Sequence, residues 1–220
     1  MLSRYRRLCS FLSLQVGAAR LDRRSRVDAG VRRPTIATVL VRRETIASRA
    51  VLVIAGVALL SLSAQLCFPL PFTPVPVTGQ TFAVLFLGAS LGGRLGVTSV
   101  AAYWLVGAGG MPVFNGGSGG WGVVSGATGG YMLGFAAAAF VVGWCAERGW
   151  DRSGGIVVPL LLGEVLIYAF GLPWLAFFVG PRFVLQSGLL PFIPGDLVKI
   201  AAVTVVLPGS WSAAKRLRLC

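Results

Sequence analysis

The stretch PFIPGDLVK, residues 191–199, continues into an apolar run that ends at Leu207 and decides the class of fold. It places two charged residues, Asp196 and Lys199, at the head of a segment long enough to enter a bilayer. Charges at membrane depth are expensive, so they are usually paired or in contact with a ligand. At a spacing of three residues the two side chains lie on one face of a helix and can reach the same small molecule. The stretch therefore predicts a membrane helix that carries a polar site near its start.

The composition of the whole chain also indicates a membrane protein. Its 220 residues are 55% hydrophobic and 12% charged, and the mean hydropathy is +0.80. Because a soluble domain carries roughly 25% charged residues, a soluble protein with an unusually large core is the disfavoured alternative. At roughly 20 residues for each span, the length suits one membrane domain of about five to seven helices.

The net charge of +13 is concentrated near the N-terminus and does not indicate nucleic-acid binding. Residues 1–49 hold twelve of the twenty basic residues and three of the seven acidic ones. Such a distribution is typical of a membrane protein with positively charged inner segments. The four cysteines have no paired spacing and the chain has no histidine, so neither a zinc site nor histidine-based acid–base catalysis is expected.

The Arg-rich segment 1–48 is predicted to be a disordered tail without a role in the function. Its apolar patch, Leu8–Val16, is short for a secretory signal and has no clear cleavage site after it. The segment fits a solvated cytoplasmic tail, a translation start assigned too far upstream, or an organellar transit peptide. Residues 49–214 are then the membrane domain, and residues 215–220 are a basic cytoplasmic tail.

Six apolar segments are predicted to cross the membrane as helices, which makes the chain an all-α integral membrane protein. Prolines between residues 69 and 76 end the first segment, and ten glycines in residues 109–130 separate the third from the fourth. A bend is anticipated at Gly171-Leu172-Pro173, and the sixth segment is allowed to continue to Ala214. The predicted segments are Ala50–Phe68, Val77–Leu91, Leu95–Ala108, Gly130–Ala146, Ile156–Val179 and Pro194–Leu207.

An even number of spans places both termini on one side, and the distribution of basic residues places that side in the cytoplasm. The outer loops then contain Arg182, whereas the inner segments contain the Arg-rich tail together with Arg94, Arg148, Arg152, Lys215, Arg216 and Arg218. This orientation brings three irregular loops, residues 69–78, 109–129 and 180–195, to the outer face above Asp196 and Lys199. Irregular backbone at that depth is tolerated where it lines a cavity or meets water. The pattern predicts capture of a ligand from outside.

Small residues recur every fourth position at the start of the fourth span, at Gly126, Gly130, Gly134 and Ala138. This spacing lets helices approach closely in lipid, and packing within the molecule is favoured over a dimer face. In the fifth span Glu164 precedes Tyr168 by one turn. Glu164 is predicted to serve packing or coupling rather than ligand contact.

Four motifs follow one another along the chain: FTPVPVTGQTF at residues 72–82, GMPVFNGGSGG at 110–120, TGGYMLGF at 128–135 and PFIPGDLVK at 191–199. In this order they resemble the motifs of the BioY biotin transporter family. Each motif alone is weak, but four with this spacing are specific. The resemblance covers about residues 50–214.

The resemblance implies a six-helix substrate-capturing S component of an energy-coupling factor transporter in the cell membrane. Such a component is not an enzyme and needs no cofactor, because biotin is its transported substrate. Energy comes from a transmembrane scaffold subunit and two ABC ATPases, although some members are thought to support uptake without this module. In agreement, the chain has no phosphate-loop motif. It departs from the family in the first helix, which lacks the Ala-x-x-x-Ala motif that meets the scaffold.

By similarity, Asp196 and Lys199 hold biotin, together with a polar residue of the Gly-rich loop that is either Asn115 or Ser118. A carboxylate at Asp196 suits the N–H groups of the ureido ring, and Lys199 either meets the ligand carboxylate or orients Asp196. The simpler alternatives are that Asp196 is the N-cap of its helix and that Lys199 pairs with it or extends outward. The further candidates are Gln80 at the head of the second span, and Phe82, Tyr131 and Trp121 as aromatic rings around the bicycle.

Three other functions remain open at this point. An S component for another vitamin shares the architecture but lacks the Pro-Gly-Asp-x-x-Lys match. A membrane enzyme such as a lipid-modifying transferase needs clustered acids or histidines, which the sequence does not offer. A non-transporting assembly protein has only the small-residue ladder in its favour.

Overall fold

A computed structural model describes residues 33–41, 45–152 and 154–219 of the chain. The predicted disordered state of residues 1–32 and 42–44 lies outside the described residues. The described part is mainly helical, with one short pair of strands and three 3₁₀ turns at Asn115–Gly117, Trp150–Arg152 and Gly154–Ile156. In chain order the elements are α1 (Ile36–Leu40), α2 (Ile46–Gln65), β1 (Cys67–Phe68), β2 (Val77–Thr78), α3 (Gln80–Leu91), α4 (Gly93–Ala108), α5 (Trp121–Val124), α6 (Gly129–Ala146), α7 (Val157–Val179), α8 (Val184–Gly188) and α9 (Ile193–Leu219).

Four stretches are long and apolar enough to cross a membrane. They are Ile46–Gln65, Gly129–Ala146, Val157–Val179 and Val184–Ala214, the last of which contains α8 and most of α9. Helices are also present in the second and third predicted spans, but α3 has 12 residues and α4 has 16. At 1.5 Å for each residue, α3 is about 18 Å long and falls short of a hydrocarbon core of about 30 Å.

Several predicted boundaries differ from the observed helix ends, each for a local reason. Helix α2 begins four residues before the predicted Ala50, because Thr45 and Ser48 form a reciprocal capping box. It ends at Gln65, because Cys67 and Phe68 pair antiparallel with Thr78 and Val77. The same pairing delays the start of α3 to Gln80.

The second half of the chain shows two more differences. Helix α7 is continuous through the predicted bend and carries Pro173 inside it. Helix α9 begins at Ile193 and continues to Leu219, through most of the segment predicted to be a C-terminal tail.

Ordered structure also begins earlier than the predicted domain start at residue 49. Helix α1 packs against α9 and α3, and its Ile36, Ala37 and Val39 are buried. Residues from Pro34 onward belong to the same compact unit as the long helices. The last part of the presumed tail therefore contributes to the packed domain.

Helix α6 lies at the centre of the bundle and contacts α7, α3 and α4. At Gly134 a Cβ atom would stand 2.6 Å from Cα and 2.8 Å from the carbonyl oxygen of Ile167 in α7. At Gly130 it would stand 2.7 Å from the carbonyl oxygen of Phe170. The predicted use of this small-residue ladder for packing within the molecule is thereby confirmed.

The connection between α3 and α4 is a single residue, Gly92, at φ 85°. Only glycine adopts this backbone conformation at low cost. Glu147, just after α6, accepts a hydrogen bond from the backbone N–H of Gly93 (3.0 Å, Oε1 to N). A carboxylate at a helix N-terminus satisfies one of the unpaired backbone donors there, so Glu147 ties α6 to the start of α4.

Candidate functional site

A cavity opens among the β1–β2 hairpin, the Gly-rich loop and helices α3, α6, α7 and α9. It contains about 610 Å³ of space, its open mouth included. The lining is mostly apolar with a few polar side chains. The lining residues are Val75, Pro76, Thr78, Gln80, Thr81, Phe114, Asn115, Val123, Thr128, Tyr131, Met132, Phe135, Ile167, Tyr168, Phe192, Asp196 and Lys199.

Asp196 lies in the first turn of α9 rather than at its N-cap. The helix begins at Ile193, and the backbone N–H of Asp196 donates to the carbonyl of Phe192 (2.9 Å). Pro194 is compatible with this position, because the first turn leaves backbone N–H groups unpaired in any case. The N-cap interpretation of Asp196 is therefore wrong, and its carboxylate is directed to other partners.

The carboxylate of Asp196 is held by two side chains from two helices. Lys199 donates to Oδ1 (3.1 Å), and the hydroxyl of Tyr168 in α7 donates to Oδ2. Asp196 is only 5% exposed, so the pair is largely removed from water. The ammonium group of Lys199 has three N–H donors. Among the described residues, one of these donors is bonded to Asp196. The cluster thus retains both acceptor and donor capacity toward the cavity.

Gln80 lines the cavity, and its amide also makes two hydrogen bonds within the protein. Its Nε2 donates to the hydroxyl of Tyr103 (2.8 Å), and its Oε1 accepts from the hydroxyl of Thr78 (3.1 Å). Tyr103 in turn donates to the carbonyl of Val113 (3.1 Å). The chain of bonds joins the hairpin, α3, α4 and the start of the Gly-rich loop, so Gln80 supports the cavity wall as well as lining the cavity.

Of the two candidates in the Gly-rich loop, Asn115 lines the cavity and Ser118 does not. The hydroxyl of Ser118 instead donates to the backbone carbonyl of Asn115 (2.7 Å). Between them Gly116 and Gly117 have φ values of 64° and 71°, which L side chains rarely adopt. The glycines here serve the loop conformation that presents Asn115.

Of the three aromatic candidates, one lines the cavity and two do not. Tyr131 lines the cavity and donates its hydroxyl to the carbonyl of Gly188 (2.8 Å). Phe82 lies outside the lining and stacks on Phe86, with ring centroids 6.0 Å apart. Trp121 also lies outside it and is 70% exposed. Other rings, those of Phe114, Phe135, Tyr168 and Phe192, line the cavity in their place.

Tyr168 is the main site residue that the sequence analysis did not single out. Its ring packs edge-on against that of Tyr131, with centroids 6.2 Å apart, and its hydroxyl bonds to Asp196. The available signal was a polar side chain one turn after Glu164 in an otherwise apolar span. Its direction toward α9 was not apparent from that signal.

Glu164 lies in α7 and is 5% exposed. Neither of its carboxyl oxygens has a hydrogen-bond partner among the described residues. It does not line the cavity, although the fields of Asp196 and Lys199 reach it. Its position agrees with the predicted absence of direct ligand contact.

We expect Glu164→Met to stabilise the protein. Methionine has a similar unbranched shape and removes two buried polar atoms that lack partners, each of which costs about 1–3 kcal/mol. The melting temperature of the protein in detergent is expected to rise by about 3 °C or more. Leu161→Met, at an exposed position of the same helix, serves as control and is expected to have little effect. A lower melting temperature for Glu164→Met would show that this carboxyl group is needed for stability.

Comparisons with known proteins relate the chain to a family. The model of the BioY family matches residues 34–216. A probable biotin transporter BioY from Pyrococcus horikoshii is 41% identical over 150 residues, which are 68% of this chain and 88% of that protein. A biotin transporter BioY from Thermotoga maritima is 38% identical over 62% of this chain and 81% of its own length.

A solved structure is similar over nearly its whole length. The crystal structure of an S-component for biotin from an ECF-type ABC transporter superposes with a TM-score of 0.67 at 27% identity. The alignment covers 81% of this chain and 96% of that one. With four helices that are long and apolar enough to span a bilayer, the chain is a multi-pass membrane protein. The match of the family model over residues 34–216, the relatives and the shared fold together lead to one conclusion: the chain belongs to the BioY family.

Proposed function

We propose that this protein captures biotin from outside the cell and takes it across the cell membrane as the S component of an energy-coupling factor transporter. The observation that carries the proposal is the cluster of Asp196, Lys199 and Tyr168 in an otherwise apolar cavity. The names of the relatives and of the solved structure, all concerned with biotin, support the same substrate.

The chemistry of biotin complements this cavity. Asp196 accepts an N–H group of the ureido ring, which gives a charge-assisted hydrogen bond in a site of low dielectric. The N–H donors of Lys199 that Asp196 leaves unoccupied meet the valerate carboxylate. The rings of Tyr131, Tyr168 and Phe192 provide the apolar walls for the bicycle. An anion that neutralises a lysine near membrane depth gains more than it would in water.

The proposed topology has six spans with both termini in the cytoplasm. It includes α3 and α4, which are short but follow each other directly through Gly92. The excess of basic residues in the inner segments supports this orientation, and it places the mouth of the cavity on the outer face. The proposed ligand contacts are the candidates from the sequence analysis that line the cavity, namely Asp196, Lys199, Asn115, Gln80 and Tyr131. Tyr168 joins them as the partner of Asp196.

The proposed partners are a transmembrane scaffold subunit and two ABC ATPases. The support is the ECF-type transporter to which the similar S-component belongs and the absence of a phosphate-loop motif from the sequence. Helix α2 is the least buried of the four long helices. Its exposed apolar face is available to lipid or to the scaffold.

Uptake of labelled biotin by bacterial cells that lack their own biotin transport tests this proposal. Cells that produce the chain, alone or with a scaffold and ATPases, are expected to accumulate the label. Excess desthiobiotin, which keeps the ureido ring, is expected to reduce uptake, and excess thiamine is not. No accumulation in either arm, with the protein present in the membrane fraction, would contradict the proposal. Competition by thiamine would favour an S component for another vitamin.

A further inference from the structure

Glu164 is a buried acid inside a membrane span, and its carboxyl group serves no bond that the described structure shows. It lies in α7 and is 5% exposed. Among the described residues, neither Oε1 nor Oε2 has a hydrogen-bond partner. Ionisable residues within membrane spans are rare and usually mark a functional site. A role beyond packing is therefore expected for this carboxyl group.

Glu164 lies one turn away from the polar cluster of the cavity. Tyr168 follows it by four residues on the same face of α7, and the hydroxyl of Tyr168 donates to Asp196 in α9. Consecutive spans run in opposite directions, so the turn of α7 before Tyr168 faces the turn of α9 after Asp196, which is that of Lys199. The charges of Asp196 and Lys199 both act on Glu164, although the ion pair of Lys199 is with Asp196.

The other helices packed around this part of α7 bring no charge to Glu164. At the preceding residue, Gly163, a Cβ atom would stand 2.6 Å from Leu85 in α3 and 3.0 Å from Val142 in α6. Helices α3 and α8 contain no titratable side chain. Tyr131 of α6 is titratable but donates its hydroxyl to a backbone carbonyl. Within the described part of the chain, the charged groups that act on Glu164 thus come from α9.

These surroundings favour the neutral form of Glu164. An isolated carboxylate in a medium of low dielectric is far more costly than a neutral carboxyl group, and a group so placed binds a proton instead. The opposite charges of Asp196 and Lys199 largely cancel within their pair. The pair therefore offers Glu164 little net charge to offset the cost of its ionisation.

The proposed ligand changes this balance because it is an anion. Its carboxylate adds a negative charge beside Lys199, and that charge offsets the field of Lys199 at Glu164. The acid form of Glu164 is then favoured more strongly in the complex than in the free protein. A proton and the ligand therefore each strengthen the binding of the other.

We propose that Glu164 is a proton-binding site that is coupled to capture of the anionic ligand. The proton comes from the surrounding water and forms the O–H bond of the carboxylic acid. The coupling acts through charge, so it requires no contact between Glu164 and the ligand. This inference rests on the proposed function, since it takes the carboxylate of biotin as the added charge.

The test is equilibrium binding of biotin between pH 6 and pH 9 to the wild-type protein and to Glu164→Gln. The carboxylate of biotin stays ionised across this range. As the pH rises, the free wild-type protein loses the proton of Glu164 and must regain it on binding. Its affinity is expected to fall about tenfold or more over the range, with a limit of about tenfold for each pH unit. Glutamine resembles the neutral acid but does not titrate, so Glu164→Gln is expected to bind biotin with little dependence on pH.

Three comparisons accompany this test. Glu164→Met is a second neutral variant and is expected to behave like Glu164→Gln. Glu147→Gln removes a carboxylate outside the cavity and is expected to keep the wild-type dependence on pH. Biotin amide brings no negative charge, so its binding to the wild-type protein is expected to depend less on pH. Thermal unfolding shows whether each variant is folded.

Four outcomes would overturn the inference. The first is a wild-type affinity that does not change with pH. The second is an equal dependence on pH in the wild-type protein and in both neutral variants, because other groups such as Lys199 would then be titrating. The third is an absence of binding by folded neutral variants, and the fourth is an equal dependence on pH for biotin and its amide. Failure of the wild-type protein to bind biotin at any pH would instead contradict the proposed function.

Discussion

Asp196→Asn is expected to weaken biotin binding by about a hundredfold or more. The substitution removes the charged acceptor for the ureido N–H, and charge-assisted hydrogen bonds are roughly twice as strong as neutral ones. It also leaves Lys199 and Tyr168 without the carboxylate that both contact. Removing one partner of a buried ion pair also lowers the stability of the folded protein, by about 3–5 kcal/mol, because the remaining charge stays buried. Equilibrium binding of labelled biotin to the purified variant measures the loss.

Glu147→Gln is the matched control for this substitution. It neutralises a carboxylate that bonds to the backbone of Gly93 outside the cavity, so binding is expected to be unchanged. Retention of wild-type affinity by Asp196→Asn would remove Asp196 from the site.

A second variant at the same cluster separates the two possible roles of Lys199. If Lys199 meets the valerate carboxylate, Lys199→Ala loses affinity for biotin but loses little for biotin amide, which has no carboxylate. If Lys199 only holds Asp196 in place, the affinities for both ligands fall equally. The bond observed between Lys199 and Asp196 is compatible with both roles, because an ammonium group has three donors.

Gly134→Ala is expected to destabilise the protein strongly, because the added methyl group has no room between α6 and α7. The new Cβ would stand 2.6 Å from Cα and 2.8 Å from the carbonyl oxygen of Ile167. These are backbone atoms of α7, so the overlap is relieved only if α6 and α7 move apart. Overpacking of this kind typically costs about 1–3 kcal/mol and occasionally more. Tyr168 follows Ile167 in α7, so a displaced α7 also disturbs Asp196, and weaker biotin binding is expected together with a lower melting temperature.

Gly209→Ala is the control for that prediction. Gly209 also lies in a helix, α9, but a Cβ there would meet nothing within 4 Å. Alanine has the higher helix propensity by roughly 1 kcal/mol, so this variant is expected to be at least as stable as the wild-type protein. Thermal unfolding in detergent measures both. Equal melting temperatures for the two variants would mean that α6 and α7 do not approach as closely as described.

The helical regions could be predicted because hydropathy and helix length are properties of local sequence. The ends of the helices could not, because they depend on local bonds between particular residues. The capping box of Thr45 and Ser48 starts α2 early, and the strand pair of Cys67 and Thr78 ends it early. Helix α1 was missed because Ile36–Leu40 is far too short to register as a span and lies among arginines.

Part of the candidate site could likewise be predicted from the sequence, and part could not. Asp196 and Lys199 were visible because charge is conspicuous in an apolar segment. The direction of a neutral side chain depends on how helices pack, and neighbouring residues of a helix point about 100° apart. Thr81 therefore lines the cavity while Phe82 packs on Phe86. In the sequence, Tyr168 resembles any other aromatic residue of an apolar span. Its bond to Asp196 depends on the packing of α7 against α9.

The alternatives that the sequence left open for Asp196 and Lys199 are not mutually exclusive. The two side chains form a pair, as the simpler interpretation of Lys199 required, and the same pair lines the cavity. A pair that is partly desolvated and oriented before the ligand arrives costs less reorganisation on binding. The pairing therefore supports the proposed site rather than competing with it.

Equilibrium dialysis of radiolabelled biotin against the purified full-length protein in lipid nanodiscs tests the central claim most directly. The account predicts saturable binding of one biotin for each chain, displaced by unlabelled biotin and not by thiamine. An absence of saturable binding to folded protein would contradict it.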